Sequence, residues 1–286
     1  MTKANIKQAI SCAKNEFSIW LIDARMLLLS VLLIFDYSFA IKPLQLNSEI
    51  MGKPLNILEP FIALANNGLL LLFLPLLFLT LIADYPRADA NNIFNIVRIG
   101  RVNWLIGQMI KLFFMAASYI IFVIIGTIAP MIGNGRLTNH WSEVVTKFTL
   151  FHPEESQNPG VRLLPENLYN QLSVYQAAIL SYTFLFMYLL IIGLILLFFS
   201  LIRKKTAGFI VCGALISVGT VLCSIKSKMM WTMPMAHSII WLHYTKYFKQ
   251  PVVSLHISAI YLITVIVLLI ISCFAVIRRF SFENLI

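Results

Sequence analysis

Six long apolar segments constrain the fold of this chain more than any other feature of its sequence. They cover approximately residues 21–41, 60–83, 105–132, 175–202, 207–225 and 255–277. A helix needs about 20 predominantly apolar residues to cross the hydrocarbon of a bilayer, and each segment approaches or exceeds that length. Because lipid offers the backbone no hydrogen-bonding partners, we expect each segment to be helical.

The composition excludes a water-soluble globular domain. The 286 residues are 59% hydrophobic and only 12% charged, whereas about a quarter of the residues of a soluble domain are charged. No stretch between the segments is long and polar enough to form a separate domain. The sequence therefore predicts an all-α polytopic integral membrane protein, in which residues 1–286 form a single transmembrane domain of six spans.

The basic residues predict the orientation of the chain and do not indicate a nucleic-acid partner. The net charge is +10, but no basic stripe with interleaved aromatic residues occurs. With the N-terminus in the cytosol, 13 Lys and Arg residues fall on the cytosolic side and 9 on the other, and the cytosolic stretches are shorter. Since positive residues concentrate in short cytosolic loops, we expect both ends of the chain in the cytosol. No small-residue cleavage site follows the first segment, so we expect that segment to remain as an anchor.

Residues 2–19 have the pattern of an amphipathic helix. One face carries apolar residues and another carries lysines and serines: Ile6, Ala9 or Ile10, Ala13, Phe17 and Trp20 against Lys3, Lys7, Ser11, Lys14 and Ser18. This pattern is typical of a helix that lies in the headgroup layer. We therefore expect an N-terminal interfacial helix on the cytosolic side, in contact with membrane lipid.

The segment between the second and third spans, residues 84–104, carries the most informative pattern. Pro86 and Asp89 are helix-start signals. The apolar side chains of the next turns share one face, Gly100 would end the helix, and Trp104 would anchor the third span at the membrane surface. The residues alone are equally compatible with a short amphipathic helix on the cytosolic side and with an interfacial loop that follows the positive-inside rule.

Residues 96–114, IVRIGRVNWLIGQMIKLFF, resemble the corresponding region of permease subunits of the ABC-2 type family of ABC transporters. In that family an Arg-bearing amphipathic segment after the second span leads into a third span that bears Trp or Lys. An N-terminal interfacial helix, six spans and short outer helices before the last span are also features of the family. The resemblance implies that residues 87–101 are the coupling helix that contacts an ATPase subunit. The residues it assigns to this contact are Arg98 and Arg101, followed by Asp84, Arg87 and Asp89.

The same resemblance implies the partners and the activity. The chain has no G-x-x-x-x-G-K-[ST] motif, so ATP and Mg would be bound by a separate ATPase subunit. A second permease copy or a paralogue would complete the transporter. The chain itself would be no enzyme, with no catalytic residue, metal site or cofactor of its own. The expected activity is export of an amphiphile, such as an antimicrobial peptide, a drug or a lipid-like molecule, from a bacterial cell across its plasma membrane.

Two other classes of function stay open. An ATP-independent secondary transporter or channel is the main alternative, although no deep acid–base pair, as ion-coupled transport usually needs, is evident within a span. An intramembrane enzyme or a sensor or immunity protein is the other, although the motifs of metal and nucleophile sites are missing.

Two residues within the predicted spans are candidates for a substrate path or a hinge. Asp36 lies in the outer part of the first span, and we expect it near the membrane surface, within reach of water or Lys42. Pro75 lies inside the second span, where a proline can kink a helix. Acidic residues in spans mark functional sites by default, so Asp36 is a candidate even at a position near the membrane surface.

The outer stretch 226–254 is unusually apolar for a loop. It contains four methionines and several aromatic residues, which predicts a pair of short helices that dip into the outer membrane surface. His237 and His243 lie six residues apart, a spacing that does not place them on one helix face. We therefore expect these histidines, with His256, to be polar tips at the surface rather than metal ligands.

Overall fold

The computed structural model describes residues 5–87, 98–133, 135–245 and 252–277, and of Leu69 the backbone alone. The described residues are mostly helical. The α-helices are α1 (Ile6–Leu21), α2 (Leu28–Asp36), α3 (Lys42–Met51), α4 (Glu59–Asn66), α5 (Gly68–Leu81), α6 (Arg101–Ile128), α7 (Glu143–Phe151), α8 (Glu166–Tyr169), α9 (Val174–Leu201), α10 (Lys205–Ser224), α11 (Pro234–Ser238) and α12 (Leu255–Ile277). Strands β1 (Leu55–Asn56) and β2 (Gly135–Arg136) form one short parallel pair.

Shorter helical turns connect these elements. Six are 3₁₀-helices, namely Ala24–Leu27, Ala129–Met131, Pro153–Glu155, Pro159–Arg162, Lys228–Thr232 and Ile240–His243, and Tyr37–Ile41 is a turn of π-helix. Two of the 3₁₀ turns, Ala24–Leu27 and Ala129–Met131, begin or end a longer helical rod. The predicted short helices in the stretch 226–254 are thus present, as two 3₁₀ turns and α11.

Among the described residues, five helical rods are long and apolar enough to cross a membrane. They are Ala24–Met51, Arg101–Met131, Val174–Leu201, Lys205–Ser224 and Leu255–Ile277. The pair α4 and α5 adds a sixth span if the two helices together form one. The chain is therefore a helical, multi-pass membrane protein, and the prediction of an all-α fold is confirmed at that level.

The first span extends further than the sequence analysis placed it. The predicted span ends at residue 41, but the helical path continues through the π-turn into α3 and ends at Met51. Pro43 in the first turn of α3 suits a helix start. Gly52, with a φ of +61°, ends the helix in the left-handed conformation. Half of the predicted outer loop 42–59 is therefore helix.

The second predicted span is broken, and the break is not at Pro75. α5 continues through Pro75 to Leu81, while α4 and α5 meet near Asn67 at an angle of 80°. The indole nitrogen of Trp241 donates a hydrogen bond of 2.6 Å to the Asn66 carbonyl oxygen. The Asn66 amide in turn donates to the Ser181 hydroxyl at 2.7 Å. Backbone groups freed by a break inside a membrane need partners from the protein. The Trp241 indole supplies one for the Asn66 carbonyl oxygen, and the Asn66–Ser181 contact ties the break to α9 through side chains.

α1 packs along the beginning of α6 through part of the apolar face that the sequence predicts. Ala9 and Ala13 are buried, whereas Ile6 is 65% exposed. A Cβ atom on Gly107 would lie 3.0 Å from the Ala9 carbonyl oxygen, so this glycine allows the two helices to approach closely. The two alanines are fully covered, Phe17 and Trp20 are half-buried against the protein, and Ile6 faces outward, because the partner of α1 is a helix rather than lipid alone.

The helices alternate in direction, so α1 and the end of α12 lie at the same end of the bundle. We call this end the base. There Asp84, which follows α5, forms ion pairs with Arg25 at the start of the first span and with Lys205 at the start of α10. The far end holds α3, the two strands, α7 and the stretch 226–245. α12 starts at the far end, where its Ser258 contacts His237 and His243, and its 23 residues lead back to the base.

Candidate functional site

The base is the candidate functional site, because the described residues of the predicted coupling segment lie there. Asp84, Arg87, Arg98 and Arg101 are described, whereas Asp89 and the rest of residues 88–97 lie outside the described residues. The predicted coupling helix over 87–101 is therefore untested along most of its length. What the structure does show is how both ends of the segment are attached to the membrane helices.

Asp84 joins three helix ends. Arg25 donates a hydrogen bond to its carboxylate, and the Lys205 ammonium lies 3.7 Å from the other carboxylate oxygen. Partial burial raises the pKa of Asp84, but the hydrogen bond from Arg25 and the charges of Arg25, Lys205 and Arg87 outweigh it and hold the pKa below its ordinary value. The carboxylate is therefore ionised at neutral pH and holds α5, the first span and α10 together electrostatically.

A second polar cluster lies deeper in the base, between α1 and α6. Glu16 is 4% exposed and Lys111 is 5% exposed, and the Lys111 ammonium lies 3.0 Å from a Glu16 carboxylate oxygen. The Gln108 side-chain amide lies 2.8 Å from each Glu16 oxygen, and the Gln108 backbone carbonyl accepts a hydrogen bond of 2.9 Å from the Tyr85 hydroxyl. The buried pair thus has the additional hydrogen bonds that a desolvated ion pair requires.

This cluster is an acid–base pair that the sequence analysis did not identify, formed between α1 and the span α6. Lys111 was counted only as one of the basic residues of the cytosolic side. The available signal was modest: Glu16 is the one acidic residue of the amphipathic stretch, and Gln108 and Lys111 are three residues apart in an otherwise apolar helix. The pairing itself depends on the contact of α1 with α6, which the pattern of the sequence does not specify.

The two clusters line one narrow cleft at the base, of about 30 Å³. Glu16 and Lys111 of one cluster and Asp84 and Arg25 of the other all line it. Trp20 also lines the cleft, and its indole nitrogen donates a hydrogen bond of 3.1 Å to the Leu81 carbonyl oxygen. α1 is therefore fixed both to the end of α5, which precedes the coupling segment, and to α6, which follows it.

Arg98 and Arg101 differ in their surroundings. Arg98 is exposed and lies on the wall of a polar groove of about 360 Å³, which Gln8, Ser11 and Asn15 of α1 also line. Arg101 is half-buried and is already engaged within the chain. Arg98 is thus the arginine of this pair that is open to an external partner.

Gly100 and Trp104 flank the start of α6. Gly100 has a φ of +86° and separates the helical residues Arg98 and Ile99 from α6, so the predicted helix end at this glycine is confirmed. Trp104 is 3% exposed. The expectation that it anchors α6 at the membrane surface is wrong, because α6 packs its first turns inside the base.

Asp36 is buried deeper than the sequence analysis placed it. It is 0% exposed, and both of its carboxylate oxygens are buried without a hydrogen-bond partner among the described residues. It also forms no ion pair with Lys42, whose side chain is exposed. The expectation of a position near the surface is wrong because the helical path continues for 15 residues beyond it, to Met51.

At the far end, His237 and His243 meet at one hydroxyl group. The Ser258 oxygen lies 2.8 Å from Nδ1 of His237 and 2.8 Å from Nε2 of His243, and both histidines are almost fully buried. The expectation that they are surface tips is therefore wrong. α11 ends at Ser238 and Ile239 is extended, so the spacing of six brings the rings together across a turn rather than along a helix face.

This histidine cluster predicts an acid-sensitive far end. Burial lowers the pKa of His243 to about 4, against an ordinary value of 6.5. Protonation therefore favours the unfolded chain as the pH falls below 6.5. We expect roughly 3 kcal/mol of stability to be present above pH 6.5 and to be lost between pH 6.5 and 4. Unfolding midpoints measured across this pH range in detergent check the slope.

Two glutamine variants test whether His243 is the group responsible for this pH dependence. In His243→Gln the slope between pH 6.5 and 4 should fall to the smaller part that His237 contributes, since burial lowers the pKa of His237 as well. In His256→Gln the slope should be unchanged, because His256 is an exposed histidine in the first turn of α12, at the far end of the bundle. Equal slopes in both variants would show that His243 is not the responsible group.

Comparisons of the chain with protein-family models, with curated proteins and with solved structures found no match.

Proposed function

We propose that this chain is the permease subunit of an ABC-2 type exporter in a bacterial plasma membrane, with the base on the cytosolic side. A separate ATPase subunit would bind ATP and Mg and hydrolyse the nucleotide, and a second permease copy or a paralogue would complete the assembly. The cargo would be an amphiphile, such as an antimicrobial peptide, a drug or a lipid-like molecule. The observation that supports this proposal best is the attachment of segment 84–104 to four helices at the base.

The attachment provides a route for mechanical coupling. At one end of the segment, Asp84 is bonded to the starts of the first span and α10. At the other end, α6 is bonded to α1 through Lys111 and Glu16. Movement of the segment by an ATPase would therefore be passed to α1, α2, α6 and α10 together. Discrete packed and hydrogen-bonded elements of this kind carry energetic coupling between distant sites.

The groove beside Arg98 is where we place part of the ATPase contact. It is polar, it is formed jointly by α1 and the residues that precede α6, and Arg98 gives it an exposed positive charge. An acidic patch on the partner would complement that charge. Arg87 and Arg101 have partners within the chain, and in this proposal they position the segment rather than form the first contact.

The partner is the point on which the proposal can be tested most directly. The tagged chain is purified in detergent from its native membrane, and the proteins that accompany it are identified by mass spectrometry. We expect a soluble protein with a G-x-x-x-x-G-K-[ST] loop in a near-stoichiometric amount. A chain that purifies alone, or only with copies of itself, would contradict the permease assignment.

A charge reversal tests the position of the contact. Arg98→Glu is expected to reduce the recovered ATPase at least tenfold, which corresponds to a loss of about 1.4 kcal/mol or more of binding free energy. Arg136→Glu is the matched control, because Arg136 is an exposed arginine at the far end. If both variants recover the ATPase as well as the unaltered chain does, the assignment of the coupling contact to Arg98 is wrong.

One observation favours a second candidate function, an ATP-independent secondary transporter. Asp36 is a buried acid without a partner in the described part of the first span, and such residues mark ion or proton pathways in membranes. The pull-down separates the two candidates, since this alternative needs no ATPase.

A further inference from the structure

Asp36 lies where two irregular parts of the membrane helices meet. It is the last residue of α2, and the π-turn Tyr37–Ile41 follows it directly. This turn packs against α4, just before the break at Asn67. The Phe35 ring lies 4.1 Å from the Phe73 ring of α5, so both halves of the broken second span line this region. π-turns inside α-helices are rare and occur often at functional sites.

The neighbouring hydroxyl groups do not solvate Asp36. The Tyr119 hydroxyl donates to the Leu74 carbonyl oxygen at 2.8 Å, and the Tyr182 hydroxyl donates to the Phe61 carbonyl oxygen at 2.6 Å. Each phenol has one proton to donate, so neither can also donate to Asp36. Both carboxyl oxygens accordingly remain without a partner among the described residues.

Among the described residues, no cation offsets the charge of an ionised Asp36 either. The charged and titratable groups on the elements packed around it are Arg25, Tyr37, Lys42, Glu49, Glu59, Arg101, Lys111, Tyr119, Tyr175, Tyr182 and Tyr188. Arg25 is paired with Asp84 at the base, Arg101 begins α6 at that same end, and Glu49 is exposed. Lys42 is exposed, and Lys111 is paired with Glu16. Glu59 has the same sign of charge and accepts its hydrogen bonds from Asn56 and Ser142. An ionised carboxylate here would be both dry and unpaired, which is far more costly than a neutral acid.

We propose that Asp36 is an intramembrane proton-binding site, which carries a proton in this arrangement of the helices and releases it only when the first and second spans rearrange. The π-turn provides a defined rearrangement. If it converts to α-helix, α2 turns relative to α3 by one residue position, or about 100°. That rotation would move Asp36 out of its buried position, as release of the proton to water or a cation requires. The proton site requires no ATPase and is independent of the function proposed above.

The protonation state of Asp36 can be measured directly by infrared spectroscopy. The full chain and its Asp36→Asn variant are placed in lipid vesicles at neutral pH, and their spectra are subtracted. Asn has nearly the shape of Asp, so the variant should keep the fold. We expect the difference spectrum to show the loss of the C=O stretch of a carboxylic acid without a hydrogen-bond partner. Loss of a carboxylate band instead would overturn the proposal.

Two further comparisons show that the signal belongs to this site. In Glu16→Gln the difference spectrum should lose a carboxylate band, because Glu16 is paired with Lys111. Dicyclohexylcarbodiimide, which enters lipid and adds to protonated carboxyl groups, should modify the peptide that contains Asp36 and leave the exposed Glu49 unmodified. Modification of Asp36 should fall as the pH is raised, since the neutral acid is the reactive form. Modification of Glu49 in preference to Asp36 would contradict a buried neutral acid.

Discussion

Replacing Lys111 with methionine is expected to cost about 3–5 kcal/mol of stability, because it leaves the buried Glu16 carboxylate without its cation. Methionine fills a similar volume, so the loss reports the missing charge rather than a cavity. The Gln108 amide still donates to Glu16, but a neutral donor does not balance a buried charge. The expected result is a large fall in the unfolding midpoint in detergent, accompanied by earlier proteolysis within α1.

Two further variants test the cause. Glu16→Leu combined with Lys111→Met should recover most of the lost stability, since a well-packed apolar pair often replaces a buried ion pair without loss. Lys14→Met removes an exposed lysine from α1 and should change the stability by no more than about 0.5 kcal/mol. If the double variant is no more stable than Lys111→Met alone, an unpaired charge is not the reason for the loss.

Replacing Glu59 with glutamine is expected to have the second large effect, at the far end. Glu59 is fully buried at the start of α4, and its carboxylate accepts hydrogen bonds from the Asn56 amide, the Ser142 amide and the Ser142 hydroxyl, at 3.0, 2.7 and 2.9 Å. Glutamine offers one acceptor oxygen in place of two, so at least one donor then faces an NH₂ group. Each buried donor left without a partner costs about 1–3 kcal/mol.

This effect should be localised to the region that Glu59 connects. Ser142 is the N-cap of α7, and Asn56 lies in β1, so we expect α7 and the strand pair to become the first sites of proteolysis. Glu143→Gln is the matched control, because Glu143 is the next residue after Ser142 and its ion pairs with Lys53 and Lys147 are exposed. Such surface pairs contribute about 0–1 kcal/mol. Equal loss of stability in the two variants would mean that the buried hydrogen bonds of Glu59 do not account for the effect.

The membrane helices could be predicted from the sequence because their signal is local. The length and apolar composition of a segment are enough to indicate a membrane helix. A glycine such as Gly100 indicates a helix end because its own backbone can adopt a positive φ. The faces that the helices bury are less local. The predicted apolar side of α1 includes Ile6, Ala9 and Ala13, yet only the two alanines are buried, because Gly107 lies opposite Ala9.

The breaks and the polar clusters could not be predicted because they depend on contacts between distant parts of the chain. The contact between Lys111 and Glu16 spans 95 positions. The break near Asn67 contains no proline, whereas the proline that does suggest a bend, Pro75, lies inside the continuous helix α5. In each case a residue distant in the sequence supplies the hydrogen bonds that make the arrangement stable. The local sequence pattern does not indicate which residue that is.

The bond from Trp241 to the Asn66 carbonyl has a consequence for biosynthesis. The two residues are 175 positions apart, and a ribosome adds about 5–20 residues per second. The second span is therefore made roughly 10–35 s before the indole that stabilises its break. During that interval the Asn66 carbonyl lacks its Trp241 partner, so a straight span that keeps its backbone hydrogen bonds inside one helix is favoured. The bend is then a late event, set when the segment before the last span reaches the membrane, and a chain truncated before Trp241 should insert with its second span unbroken.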